Sequence, residues 1–136
     1  MGGQQDNVYR TLDLKGAAEI TGFKVVEKTA DYTIKTTDSG TIFIANHAST
    51  APNFTLPASA SCKGLLWIIA NYGAAGFKVT AGTVDTMVVL NDTQADTAAF
   101  ATSNEMIGTG VILIGDGTSV YFLPLAPEAY TITVTS

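Results

Sequence analysis

The sequence predicts an all-β protein, with a single β-sandwich or barrel-like domain that follows an N-terminal arm. Threonine occurs 20 times, and its β-branched side chain suits the pleated surface of a sheet. Short runs of strand-forming residues recur about every 10 residues, and turn-forming residues separate them. The 136 residues fit one domain, so we expect the arm over residues 1–30 and the β-sandwich over residues 31–136.

The predicted strands take up half of the chain after residue 22. Each is a short run rich in β-branched, aromatic or aliphatic side chains. Turn-forming segments separate several of them, namely TDSG, YGAAG, LNDTQAD and GDGT. In chain order the runs are FKVVEK (23–28), YTIK (32–35), TIFIA (41–45), NFTL (53–56), LLWIIAN (65–71), FKVTA (77–81), MVVL (87–90), TAAFAT (97–102), GVILIG (110–115), SVYFL (119–123) and YTITV (130–134).

Two segments have patterns that fit a helix as well as a strand. They are LDLKGAAEITG (12–22) and TQADTAAFAT (93–102), and the second would form a helical turn before a strand. Neither reaches the length that makes a helix assignment firm. The first residues, MGGQQDN, have little to bury, so the sequence predicts an arm that is flexible or that becomes ordered on a partner.

The charges exclude one class of function and divide the chain in two. The formal net charge of −5 disfavours nucleic-acid binding, which needs a basic patch. Residues 1–40 hold five basic side chains and six acids, whereas residues 41–136 hold two and six. Charged residues make up only 14% of the chain, which indicates a surface that is neutral or that other copies or a partner cover.

The sequence favours synthesis in a cytoplasm and gives no membrane partner. The N-terminus lacks the apolar segment of a secretory signal. The longest strongly apolar run, LLWIIA (65–70), is too short to span a bilayer. A single cysteine also excludes an intrachain disulfide and a cysteine-based metal cluster.

The stretch NFTLPASASCKG (53–64) raises the question of a catalytic nucleophile. It contains Ser59, Ser61 and the single cysteine, Cys62, and the single histidine, His47, precedes it by six residues. A nucleophile needs a base within hydrogen-bond reach, and no G-x-S-x-G turn surrounds either serine. We therefore expect no catalytic residue here, with Cys62 half-buried beside a strand and His47 on the surface.

Two other loops contain residue types found in binding sites, but without the necessary spacing. Asp85, Asp92 and Asp96 do not form the D-x-D-x-D-G pattern of a calcium loop, so solvated carboxylates are expected. The glycines of GTGVILIGDGTS (108–119) fit neither a dinucleotide loop nor a Walker motif, and GDGT instead predicts a hairpin turn. We predict no metal, no cofactor and no enzymatic activity.

The aromatic residues leave a carbohydrate-binding module open as an alternative, because exposed tyrosines stack on sugar rings. Trp67 lies in a strand that is apolar on both sides, so we expect it in the core. The aromatic residues considered are Trp67, Tyr72, Phe77, Tyr121, Phe122 and Tyr130.

Four short motifs follow one another between residues 31 and 123. They are the tyrosine strand YTI (32–34), the turn DSG (38–40), the segment FTLP (54–57) and the late hairpin GDGTSVYF (115–122). In this order they resemble the β-module of tailed-bacteriophage structural proteins, which occurs in capsid decoration (cement) proteins and in tail-fibre segments. One departure is Val120-Tyr121, where many relatives have Trp-Tyr.

Within that group the chain length favours a decoration protein. The resemblance implies a homotrimer on the outer capsid surface of the virion, where it clamps neighbouring copies of the major capsid protein. The residues expected to contact the capsid include the types enriched at binding hot spots: Val8, Tyr9, Arg10, Leu12, Leu14 and Lys15. The alternative is that this stretch forms the first strand of the domain. A tail-fibre or baseplate subunit is the second functional hypothesis.

Overall fold

The computed structural model describes residues 22–100, 107–126 and 131–136. Within these ranges, strands form two mixed sheets that pack against each other around a shared apolar core. The predicted all-β, sandwich-like fold is confirmed.

Twelve strands lie in the described ranges, together with 3₁₀ turns at Thr36–Asp38 and Ser59–Ser61. The strands are β1 (Lys24–Lys28), β2 (Tyr32–Thr33), β3 (Thr41–Ala45), β4 (Asn53–Thr55), β5 (Leu66–Asn71), β6 (Lys78–Thr80), β7 (Met87–Val89), β8 (Asp92–Ala95), β9 (Thr97–Phe100), β10 (Gly110–Gly115), β11 (Val120–Leu125) and β12 (Ile132–Thr135).

The chain alternates between the two sheets from β1 to β6. One sheet has seven strands in the order β1-β3-β5-β10-β11-β7-β8, and the other has five in the order β12-β9-β6-β4-β2. Consequently β1, β3 and β5 are parallel neighbours in the first sheet, and β2, β4 and β6 are parallel neighbours in the second. From β9 onward, new strands mostly pair antiparallel to these, except that β11 is parallel to β7.

Each of the eleven predicted runs contains a strand, but the prediction missed β8. We assigned LNDTQAD to a turn and left a helical turn open from residue 93. Both expectations are wrong over Asp92–Ala95, where β8 forms, whereas the predicted strand TAAFAT is present as β9 from Thr97. Leu90 adopts a left-handed backbone conformation with φ 54°, which turns the chain so that β8 pairs antiparallel with β7. Ala95 is then buried on the core side.

Both sheets contribute aromatic rings to the core. A chain of ring contacts runs from Tyr32 through Phe43, Phe54 and Phe77 to Phe100, with centroid separations of 5.3–6.2 Å. These separations suit tilted and edge-to-face pairs, which favour packing beyond simple burial. Other large, fully buried side chains are Ile34, Trp67, Ile69, Val79, Met87, Val89, Val111, Leu113 and Phe122.

A carboxylate stabilises the turn through which the chain passes from the five-stranded sheet to the seven-stranded sheet. Asp38, between β2 and β3, accepts hydrogen bonds from the Tyr32 hydroxyl at 2.7 Å and from the Lys35 N–H at 2.9 Å. Burial raises the pKa of Asp38, but these hydrogen bonds and the positive charges of Lys35 and Lys24 lower it, and the net pKa is below the usual value. Hydrogen bonding to Asp38 in turn raises the pKa of Tyr32.

Each end of the sandwich has one edge strand from each sheet. At one end β8 and β12 are tied together, because the Ser136 hydroxyl donates to the Asp92 carboxylate and the Asp96 N–H donates to the Thr135 carbonyl. At the other end β1 and β2 are the edge strands of their sheets within the described residues. β1 falls within residues 1–30, where we predicted the arm, and it pairs along its length with β3.

Candidate interaction face

Cys62 and His47 make separate, local hydrogen bonds. The Cys62 thiol donates to the Ala58 carbonyl oxygen at 3.3 Å. His47 Nδ1 accepts hydrogen bonds from the backbone N–H groups of Ser49 and Thr50, at 3.1 and 2.8 Å. Burial raises the pKa of the Cys62 thiol, which disfavours the thiolate that a nucleophile requires. Each side chain therefore stabilises its own loop.

The loop that contains Cys62 packs directly on the seven-stranded sheet. A Cβ atom at Gly115 in β10 would lie 2.1 Å from the Cys62 carbonyl oxygen, so only glycine allows this approach. Cys62 is fully buried, and the expectation of a half-buried side chain is wrong because the 3₁₀ turn Ser59–Ser61 folds it inward. A substrate has no access to the thiol in this arrangement.

The three aspartates of the acidic loops act as local hydrogen-bond partners. Asp96 Oδ1 accepts a hydrogen bond from the Asp85 N–H at 2.7 Å, and Asp92 Oδ1 accepts one from the Gln94 N–H at 2.8 Å. The hydrogen bond from Ser136 lowers the pKa of Asp92. No group of three or more His, Cys, Asp or Glu side chains is placed to hold a metal ion within the described ranges.

The glycine-rich segment after residue 108 forms the predicted hairpin. β10 and β11 pair antiparallel from Gly110 with Leu125 to Gly115 with Val120. Asp116 Oδ1 accepts hydrogen bonds from the backbone of the turn, and Gly117 adopts φ +93°. The turn conformation requires a glycine at position 117, so the glycine-rich sequence is accounted for by the hairpin rather than by nucleotide binding.

An open hollow of about 410 Å³ lies beside His47. Two polar groups around it accept hydrogen bonds from nearby backbone N–H groups. Asp31 Oδ1 accepts one from the Asn53 N–H at 2.9 Å, and His47 Nδ1 accepts one from the Thr50 N–H at 2.8 Å. A binding site usually needs several polar groups that converge on one ligand. The residues that line the hollow are Thr29, Ala30, Asp31, His47 and Thr50.

Of the six aromatic residues considered above, those that the structure describes divide between the core and two distant exposed positions. Trp67 is buried, as predicted, and so are Phe77 and Phe122. Tyr72 and Tyr121 are 67% and 38% exposed, and Tyr130 lies outside the described residues. Tyr72 lies just past one end of β5 and Tyr121 aligns with its other end through β10, so they stand about 20 Å apart at 3.3 Å per residue. They do not form a joint platform for a sugar.

The outer surface of the seven-stranded sheet is apolar across five adjacent strands. One cross-strand row runs through Val25, Ile42, Ile68, Ile112 and Leu123, each directly paired with the next. Directly paired residues project on the same side of a sheet, and this side is opposite the core. The row therefore forms a continuous band of aliphatic side chains.

Two flanking rows extend this band. Leu66, Ile114 and Tyr121 align on one side, and Ile44, Ala70, Gly110 and Leu125 align on the other. We call the following ten residues the apolar face: Val25, Ile42, Ile44, Leu66, Ile68, Ile112, Ile114, Tyr121, Leu123 and Leu125. Several of them are well exposed in the single chain, including Val25 at 60% and Leu123 at 43%.

The apolar face is large enough to be functional. Five strands and three rows cover about 20 by 20 Å, or about 400 Å² in projection, at ordinary strand and residue spacings. Exposed apolar patches of this size often mark interaction sites on soluble proteins. Glu27, which pairs with Ile44 in the outermost strand, is the one charged residue in these rows.

The outer surface of the five-stranded sheet has the opposite character. A row of five threonines crosses all of its strands in register: Thr33, Thr55, Thr80, Thr97 and Thr135. We call these residues the threonine face. The adjacent row contains Asn53, Lys78, Ala99 and Thr133, so this surface presents hydroxyl, amide and ammonium groups to water.

The described residues do not include those predicted to contact the capsid, which are Val8, Tyr9, Arg10, Leu12, Leu14 and Lys15. They also exclude residues 12–21, where a helix was considered as an alternative to a strand. The capsid-contact role remains a prediction. Among the described residues, no helix is long and apolar enough to cross a membrane.

No protein-family model matches the chain, and the comparison with curated proteins finds no match either.

The apolar face was not identified from the sequence, although a pattern pointed to it. TIFIA, LLWIIA and GVILI are apolar at nearly every position, whereas a strand with one face in water alternates. Such runs indicate strands that are covered on both sides. Recognising one joint surface required the register that aligns Ile42, Ile68 and Ile112.

Proposed function

We propose that this protein is a virion structural protein, a capsid decoration protein that binds the assembled phage head as a homotrimer. The observation that supports the proposal most strongly is the apolar face, because an exposed apolar surface of this size is expected on a subunit that functions inside an assembly, where other protein subunits bury it. The motif resemblance to phage β-modules supplies the virion setting. In this proposal the partners are other copies of the chain and the major capsid protein, on the outer capsid surface.

The proposed mechanism is mechanical. A compact sandwich that bridges neighbouring capsid subunits adds buried interface between them, so separating those subunits exposes more surface to water. Three linked copies also raise the avidity for the shell, since binding of the second and third copies becomes intramolecular. No covalent chemistry is required of the protein.

Binding to capsids tests the proposal directly. Purified protein is added to expanded capsids that lack decoration, and its position is imaged by electron microscopy. We expect density at local threefold positions and a higher temperature of capsid disruption. The proposal fails if the protein does not bind the shell.

A tail-fibre or baseplate subunit is the main alternative, and fractionation separates it from the proposal. Particles are split into heads and tails, and each fraction is probed with an antibody against the chain. Recovery with heads supports decoration, and recovery with headless tails supports the alternative. A glycan-binding module would instead retain binding to immobilised sugars in the absence of any capsid.

A further inference from the structure

We infer that the apolar face is the surface through which copies of this chain associate with one another. The inference rests on the proposed function, because a homotrimeric decoration protein needs such a surface, and it assigns that role to the outer side of the seven-stranded sheet. It leaves the capsid contact to other parts of the molecule.

The composition of the face favours a second copy over an unrelated partner. Interfaces between identical subunits are more apolar than transient interfaces, which resemble the ordinary protein surface. Nine of the ten residues of the apolar face are aliphatic, and the tenth is Tyr121. A basic or acidic partner would find little charge complementarity there, since Glu27 at the outer edge is the one charged residue of these rows.

The charge of the whole chain supports the same choice. Each copy has a formal net charge of −5, so two copies repel each other at long range. They can approach most closely where charge is absent, and the apolar face is such a region. The threonine face is less suitable, because Lys78 and the hydroxyl groups around it would lose water on association.

The size of the face is sufficient for a stable contact. In a trimer each copy shares its apolar face between two neighbours, so removing one copy exposes about 800 Å² in projection, and the accessible area of protruding side chains brings this to the about 1,000 Å² that a specific interface needs. Three such faces can meet around a common axis, and sheet faces pack readily through interdigitating side chains. The core between the two sheets of each copy already uses such interdigitation.

Strand addition at the edge of the seven-stranded sheet is the rival mode of self-association. The edge strand β1 contains Lys24, Glu27 and Lys28, and charged residues on an edge strand disfavour pairing with another chain. Lys24 and Lys28 pair in register with the buried Thr41 and Ala45 and so lie on the side opposite the apolar face. The edge is therefore protected, whereas nothing among residues 22–100, 107–126 and 131–136 covers the apolar face.

Matched glutamate variants test the inference by sedimentation. Leu123→Glu places a charge in the apolar face, and Thr33→Glu places the same charge in the threonine face. We expect the wild-type protein and Thr33→Glu to sediment as the same oligomer. Leu123→Glu should weaken association about a hundredfold or more, because an unpaired charge would be buried. Far-ultraviolet circular dichroism verifies that each variant is folded.

Two sedimentation results would overturn the inference. One is a wild-type protein with the 14.2 kDa mass of the single chain, which is also the result expected if the chain covers its own face. The other is a Leu123→Glu variant that associates as tightly as wild type. An oligomer that binds capsids but keeps its affinity for itself in the Leu123→Glu variant would refute this inference alone, whereas an oligomer that ignores capsids would refute the proposed function alone.

Thiol labelling locates the interface without adding charge. Leu123→Cys should react slowly with a maleimide in the assembled protein, although residue 123 is 43% exposed in the single chain, and Thr33→Cys should react fast. Cys62 is fully buried and contributes little background. Both variants should react fast in denaturant. Equal rates for the two native variants would overturn the inference.

Discussion

The outer faces of the two sheets differ in one property while sharing most others. Both consist of in-register rows across at least five strands, and both use β-branched residues that suit an extended backbone. In one face the rows are mostly aliphatic, and in the other one of the two rows consists of threonine. Threonine and the β-branched aliphatic residues have similar propensities for the extended backbone, so strand formation alone does not explain why one face has hydroxyl groups and the other has methyl groups. The threonine face can form hydrogen bonds with water, whereas the apolar face gains free energy when another apolar surface covers it.

The largest expected effect is common to both sheets. Trp67→Ala in the seven-stranded sheet and Phe54→Ala in the five-stranded sheet should each lower the free energy of unfolding by about 3–5 kcal/mol, because both side chains are fully buried in one core. Urea denaturation measures the loss. Thr97→Ala, on the threonine face, is the control and should cost less than about 1 kcal/mol. A large loss from only one of the two core variants would mean that the sheets do not share a core.

A smaller effect is expected at the turn that joins the two sheets. Asp38→Asn should lower the free energy of unfolding by about 1 kcal/mol at neutral pH, since it weakens the hydrogen bonds from Tyr32 and Lys35. The lowered pKa of Asp38 in the folded protein means that its ionised form stabilises the fold above the ordinary aspartate pKa. This stabilisation is lost as the pH falls through the folded pKa.

The difference between wild type and Asp38→Asn should therefore shrink as urea denaturation is repeated from neutral pH down to acidic pH. Thr37→Ala, an exposed change in the same turn, is the control and should not show this pH dependence. A difference that stays constant with pH would contradict the assigned role of the carboxylate.

The smallest effect on subunit stability is expected on the threonine face. The triple variant Thr33→Val, Thr97→Val, Thr135→Val keeps the β-branched shape, so each change should alter the free energy of unfolding by less than about 0.5 kcal/mol. It should nevertheless create a second apolar surface and cause association beyond the native oligomer, which sedimentation measures. An unchanged oligomeric state would show that methyl and hydroxyl groups do not determine which face is covered.

The sequence was sufficient to predict the fold class and most strands, because β-branched runs and glycine turns act locally. It was not sufficient for β8, where the polar residues of Asp92–Ala95 resemble a turn and become a strand by pairing with β7. The apolar face was missed for a related reason. Ile42 and Ile112 are 70 positions apart in the chain, and the parallel and antiparallel pairings that place Ile68 between them leave no local pattern.

The alternation of the first six strands between the two sheets has a consequence for how the molecule comes apart. Each successive connection crosses from one sheet to the other, so neither sheet can separate from the core without disrupting the strands of both sheets. Local opening of this part should then cost nearly as much as complete unfolding, and its amide hydrogens should exchange together with those of the core. A domain of this kind is expected to unfold cooperatively rather than in parts, which would help a protein that resists mechanical force.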